Sequence, residues 1–223
     1  MLLSKGIITG LQKKILSVFS QLPDSRHFYL TGGTALTEFF LGHRKSFDLD
    51  LFTSEQKLVL PFSRVFEETL KKEFSLSVVR RFETFVEMEI RTAGEQTRIQ
   101  LSYDSPFRFD KPVDSDLAVK VNDHKDLIVD KLLAFFGRAE PRDAVDLFFI
   151  LKTENIGKLM ESAKEKDPGF DMYWFAVALE KTRGFPDSIE KWPVEMLLET
   201  DAGRIKKFFA GIAKEIMDDI RQR

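Results

Sequence analysis

Asp48 and Asp50 stand at i and i+2 inside the apolar run Phe47–Phe52, FDLDLF. Side chains of a strand alternate between its two faces, so both carboxylates point one way while Phe47, Leu49 and Leu51 point the other. Their Cα atoms would lie roughly 6–7 Å apart, within reach of two divalent ions about 3.5–4 Å from each other. That spacing suits phosphoryl transfer. Carboxylates at alternate positions of an apolar strand are costly to bury unpaired. Salt bridges to Arg44, Lys45 or Lys131, or exposure at a strand end, would meet that cost; so would Mg²⁺ or Mn²⁺ held through hard oxygen ligands, with substrate phosphates completing the shell.

The segment before the acids supplies groups for those phosphates. Gly32 and Gly33 follow an apolar run and precede a short helical pattern, Thr34–Leu41. Glycine lets backbone approach a ligand closely, and a helix N-terminus offers unpaired N–H groups to an anion. The hydroxyls of Thr31 and Thr34 could add hydrogen bonds. Such turns also arise for steric reasons alone, so the pair gains meaning from the carboxylates that follow. His43, Arg44, Lys45 and Ser46 come just before Asp48 and read either as a solvated loop or as a triphosphate grip.

A second cluster lies in KDLIVDKLLAFFGRAEPRDAVDLFFIL, residues 125–151. Leu127, Lys131 and Phe135 are spaced by four, which sets Lys131 in an apolar helical row where a lysine is unexpected. It reaches toward an anion, or snorkels, or pairs with Asp126 or Asp130. Pro141 suits a first helical turn, with Asp143 and Asp146 three apart on one face behind it. First-turn acids favour the helix dipole in any case. Arg138 or Arg142 could pair with them.

These motifs, GGTAL, HRKSFDLDLF, DKLLAFFGR and RDAVDLFFIL, together resemble the AbiEii/AbiGii nucleotidyltransferase family of DNA polymerase β-like enzymes, many of them toxins of type IV toxin–antitoxin and abortive-infection systems. The resemblance runs from about Tyr29 to Leu151. It implies transfer of a nucleoside monophosphate from an NTP to an acceptor, tRNA or another macromolecule, with release of pyrophosphate. It also implies metal binding by Asp48 and Asp50, a glycine motif at Gly32 and Gly33, the family's lysine at Lys131 with its downstream aspartate at Asp143, and a possible cognate antitoxin. On that reading Gly32, Gly33, Thr34, Arg44 and Ser46 are candidates for phosphate contacts, Lys131 neutralises the triphosphate, and Asp143 orients Lys131 or assists the acceptor. One position departs from the pattern. Such enzymes take a third carboxylate from a later central strand, and TRIQLSYD has Gln100 there. Glu87, Glu89 or Asp104 are the acids that could substitute, depending on register.

Positioning these residues requires strands and helices in a definite order. Helices are expected at 7–20, 34–41 and from Pro61 to about Phe74, with Gly42 closing the second. Strands are expected at His27–Thr31, Phe47–Phe52, 76–82, 85–92, 97–103 and Leu117–Val121, with a hairpin loop over 93–96 and a loop over 104–116. From Lys125 only helices follow, near 125–137, 141–153, 156–166, 170–181 and 201–221, with a short piece near 193–199. The expected fold is therefore α+β. A nucleotidyltransferase-like mixed sheet flanked by helices occupies 1–122, and a helical part 123–223.

Composition narrows the rest. With 43% hydrophobic residues and 22 Phe in 223, the chain can bury a large core. Its 34 Lys and Arg against 36 Asp and Glu leave a net charge of -2, so any polyanion site must be a local patch. Cysteine is absent, which excludes disulfides and thiolate metal sites and fits a reducing cytoplasm. Lys5, Lys13 and Lys14 interrupt the N-terminal apolar pattern, so neither a signal peptide nor a membrane span is expected. Two other functions fit the same residues: a small-molecule nucleotidyltransferase of the antibiotic-modifying kind, and a degenerate module that binds nucleotide or a partner without turnover.

Overall fold

The computed structural model of the chain describes residues 1–222. It divides into two compact units, Met1–His124 and the remainder from Lys125. In the first unit, α1 (Gly10–Ser20), β1 (Tyr29–Thr31), α2 (Gly32–Ala35), β2 (Asp48–Thr53), α3 (Gln56–Leu70), β3 (Leu76–Arg81), β4 (Phe85–Arg91), β5 (Gln96–Tyr103), β6 (Val113–Asp114) and β7 (Lys120–Val121) follow in order. Seven strands form one mixed sheet in the order β3-β4-β5-β2-β1-β7-β6. The strand of the two acids is central: β2 runs antiparallel to β1 and parallel to β5.

Period two separates the faces of this sheet by chemistry. Leu49, Leu51, Ile99, Leu101, Val86 and Met88 share one face and are fully buried. Helix α3 packs against β4 and β5 on that side. Phe19 of α1 meets Phe62 and Phe66 of α3 edge to face at 5.4 and 5.6 Å, a geometry that suits the ring quadrupoles. The opposite face carries Asp48, Asp50, Arg98, Gln100, Glu87 and Glu89. A bulge between Val78 and Arg80 in β3 turns Arg80 onto this polar face, opposite Glu87.

Helix α2 continues as a π-helix over Leu36–Leu41 and stops at Gly42, whose φ of 65° is left-handed. Glu38 of the π segment is fully buried. Its carboxylate accepts the amides of Gly6, Ile7 and Ile8 at 2.7, 2.7 and 2.8 Å. The N-terminal segment is thereby strapped to the helix, while Leu2 donates to the Asp114 carbonyl of β6 at 2.8 Å.

The second unit comprises α4 (His124–Arg138) from its second residue, α5 (Pro141–Ile150), α6 (Ile156–Lys166), α7 (Met172–Glu180) and α8 (Ala202–Gln222). Phe135 of α4 stacks on Phe209 of α8 at 5.6 Å and meets Phe175 of α7 at 6.3 Å. Asn155 and Asp171 cap α6 and α7 by accepting amides of their first turns. Along α8, Ile205, Phe209, Ile212 and Ile216 are buried, while Phe208 and Ile220 are partly exposed. None of the described helices is long and apolar enough to cross a membrane.

Several boundaries differ from expectation. Helix α3 starts at Gln56, with Pro61 inside it instead of at its start. The proline lacks only the bond to the carbonyl four residues back, and the apolar face of Val59, Phe62 and Phe66 holds the helix across it. His27 belongs to a 3₁₀ turn, Ser25–His27, before β1. The expected strand over Leu117–Val121 shrinks to β7, and the expected loop contains β6. The short helix near 193–199 is absent, and a 3₁₀ turn occupies Ile189–Lys191 instead. Phe47 precedes β2 and is exposed, not packed with Leu49 and Leu51.

The Glu38 strap makes a prediction. Glu38→Gln keeps the side chain's shape but faces an NH₂ toward amides that need an acceptor, leaving one or more buried. Urea unfolding should show a loss of about 3 kcal/mol. An unchanged midpoint would mean that the strap contributes nothing.

Candidate active site

The site grows from β2 and the turn that precedes it. Asp48 and Asp50 are half-buried on the polar face, with Leu49 and Leu51 anchoring the strand beneath them. Asp50 lies opposite Thr31 of β1 and Gln100 of β5, and Gln100 lies opposite Glu87 of β4. Cross-strand partners share a face, so these side chains form one row. Asp48, Arg98 and Glu89 form the next.

Gly32 sits directly under the Asp50 carboxylate. A Cβ there would lie 1.9 Å from Oδ2 of Asp50, and its φ of +69° is left-handed as well. Only glycine satisfies both demands. A Cβ on Gly33 would lie 2.8 Å from an Arg44 guanidinium nitrogen and 2.8 Å from the Ser46 hydroxyl. Gly32, Gly33, Arg44, Ser46 and Asp50 are thus brought together. Arg44 is buried and donates to the Lys45 carbonyl at 2.8 Å. The helix begins at Gly32, not Thr34, so the first-turn amides belong to the glycines themselves.

Thr34 has a different task from the one expected. It is fully buried, and its hydroxyl donates to the backbone carbonyl of Asp48. That bond bolts the helix to the strand of the two acids and takes the hydroxyl away from any phosphate. Thr31 accepts a hydrogen bond from Nδ2 of Asn122 at 3.0 Å. Gln12 of α1, which the sequence reading passed over, donates to the Ser46 carbonyl at 3.0 Å and is fully buried. Its signal was available: Thr9-x-x-Gln12 is a capping box, and Gln12 indeed caps α1 with Thr9.

The register decides among the substitutes for a third carboxylate. Gln100 holds the place beside Asp50. Glu87, one strand further, pairs with Arg98 at 3.2 Å and Arg80 at 3.8 Å. Glu89 pairs with Arg91 at 2.5 Å, and Asp104 accepts from the Tyr29 hydroxyl at 2.6 Å. Among the described residues no group of three His, Cys, Asp or Glu side chains is arranged to hold a metal. Two carboxylates on one face, one of them cradled where a Cβ would intrude, fit Mg²⁺ or Mn²⁺ bound by few protein ligands and completed by water and phosphate oxygens.

In the second unit, Lys131 is buried and pairs with Asp146 at 2.7 Å, not with Asp126, Asp130 or Asp143. Asp143 is buried under a two-pronged contact from Arg138, at 2.6 and 2.8 Å. Orienting Lys131 therefore falls to Asp146. The reason is helical spacing: one turn of α5 separates the two acids and gives each its own cation from α4. Lys166 of α6 bridges Asp126 and Asp130 at 2.6 and 2.5 Å, a third ion pair in the same helical unit.

Comparison with known proteins places this geometry. The family model described as nucleotidyl transferase AbiEii toxin, type IV TA system, matches residues 14–221. The chain belongs to the AbiEii nucleotidyltransferase toxin family. An uncharacterized protein of Aquifex aeolicus is 25% identical over 219 residues, spanning 93% of this chain and 97% of its own. Among solved structures, a Helicobacter pylori chain described as a candidate nucleotidyltransferase superposes with a TM-score of 0.58 at 16% identity, covering 95% of this chain and 94% of that one. The nucleotidyltransferase toxin MenT4 of Mycobacterium tuberculosis H37Rv superposes with a TM-score of 0.57 at 18% identity, covering 90% and 80%. These structural likenesses establish a shared fold, and the family match carries the activity class. For an AbiEii-family protein, membership of a type IV system implies a cognate antitoxin.

Two outcomes follow. Gly32→Ala should cut nucleotidyl transfer by about 100-fold or more while far-ultraviolet circular dichroism stays unchanged, since displacing Asp50 by even 1 Å is enough. Near-normal transfer would show that Asp50 is not where the chemistry needs it. Asp146→Ala strands a buried lysine charge and should cost about 3–5 kcal/mol of stability. A thermal melt matching wild type would show that Lys131 finds water or another partner.

Proposed function

We propose that this AbiEii-family protein moves a nucleoside monophosphate from an NTP to a hydroxyl of tRNA or another macromolecule in the cytoplasm, releasing pyrophosphate and using Mg²⁺ or Mn²⁺. The observation that carries the proposal is the Asp50 carboxylate over Gly32 with Asp48 on the same face. Asp48 and Asp50 would hold the metal through oxygen, and it would supply charge neutralisation at the phosphates. The amides of Gly32 and Gly33, the Arg44 guanidinium and the Ser46 hydroxyl receive phosphate oxygens, with Gln12 fixing the Ser46 backbone.

The acceptor oxygen bonds to the α-phosphorus, the bond from that phosphorus to the bridging oxygen breaks, and pyrophosphate departs in line. Gln100 is an amide and cannot take up the hydroxyl proton, so the proton passes to water. The same residue favours a second reading, in which the protein binds NTP without turning it over.

The deciding experiment incubates purified protein with Mg²⁺ or Mn²⁺, each α-labelled NTP in turn and total tRNA, and follows both label and pyrophosphate. Label should reach RNA with wild type, and should vanish with Asp50→Ala and with EDTA. Full turnover by Asp50→Ala would refute the mechanism. NTP binding with no pyrophosphate would establish the second reading.

A further inference from the structure

A cavity of about 250 Å³ opens at the start of β1, lined in part by Arg26, His27, Tyr29, Glu55, Arg108 and Lys120. Its three permanent cations come from three separate stretches of chain: the 3₁₀ turn before β1, the loop after β5, and β7. The one lining carboxylate, Glu55, is engaged by Nδ1 of His27 at 2.5 Å. Arg26 and Lys120 have no carboxylate partner among the described residues, and both are exposed. Arg108 is different: it lies 4.2 Å over the Tyr29 ring, pairs with Asp104, and donates to Oδ1 of Asn122 at 3.0 Å. Stacking and two polar partners fix its plane, and a guanidinium held in one plane is prepared to offer paired N–H donors to phosphate oxygens. On a chain of net charge -2, this cavity is a local positive hollow.

The cavity is tied to the two acids. Tyr29 is two residues before Thr31, so both side chains leave β1 on the same face, and Thr31 lies opposite Asp50. Asn122 closes the link, accepting from Arg108 and donating to the Thr31 hydroxyl at 3.0 Å. Two residues along a strand span about 7 Å, a reach comparable to neighbouring phosphates on an extended polynucleotide. We infer that this cavity binds a backbone phosphate of a nucleic-acid acceptor through Arg26, Arg108 and Lys120, with the acceptor's reactive end at Asp50. This inference rests on the proposed transferase activity and names the acceptor's chemistry.

The test is fluorescence anisotropy of labelled tRNA against wild type and the Arg26→Ala/Lys120→Ala double variant across about 50–200 mM salt. A second double variant, Lys13→Ala/Lys14→Ala, removes the same charge from an exposed stretch of α1. The cavity variant should bind tRNA at least about tenfold more weakly at low salt, with a salt slope smaller by about 2, while the α1 variant tracks wild type. Binding of NTP, measured separately by calorimetry, should be unchanged in both. Equal tRNA binding by the cavity variant and wild type would overturn the assignment, as would equal losses in the two double variants. Weakened NTP binding by the cavity variant would overturn it too, by giving the cavity to the free nucleotide. Failure of the transferase reading would appear elsewhere, as absent pyrophosphate release by wild type.

Discussion

The contact between the Asp50 carboxylate and the bare Cα of Gly32 is the constraint on which the site depends. An acid on a central strand and a turn at the end of its neighbour are brought so close that no side chain fits between them. Everything nearby serves that approach. Thr34 bolts the helix to Asp48 from below, Gln12 holds the Ser46 backbone from the side, and the fully buried Leu49 and Leu51 keep β2 from sliding by one residue. Such a slip would send both acids to the apolar face.

Much of this was legible in the sequence because it depends on short-range rules. Period two placed Asp48 and Asp50 together, and the left-handed preference of glycine placed Gly42 at the helix end. The order of strands and helices followed from hydrophobic spacing. What escaped was set by long-range pairing. No local pattern tells that Gln100 faces Asp50, that a bulge turns Arg80 toward Glu87, or that Arg108 in a polar loop stacks on Tyr29. Glu38 reads as a surface helical residue until the N-terminal segment folds over it. Pro61 was misread for another reason: tertiary burial of α3 outweighed one missing hydrogen bond.

The helical unit presents the opposite economy. Its acids Asp126, Asp143 and Asp146 are buried, and each has a cation within 3 Å. Buried pairs of this kind contribute little net stability against apolar replacements, yet removing one partner is severe. They therefore specify how α4, α5 and α6 align more than they strengthen the unit, and they fix the direction of Lys131 at a cost that apolar packing such as Phe135 on Phe209 offsets.

The parallel pairing of β2 with β5 also carries a temporal consequence. Asp50 meets Gln100 only after some fifty intervening residues have been made, and β1 gains its other neighbour, β7, later still. Contacts of such sequence separation form slowly, and a chain emerging from the ribosome holds both acids on a strand that has β1 beside it but still lacks β5. The sheet around both acids is therefore complete only once β5 and β7 have left the tunnel.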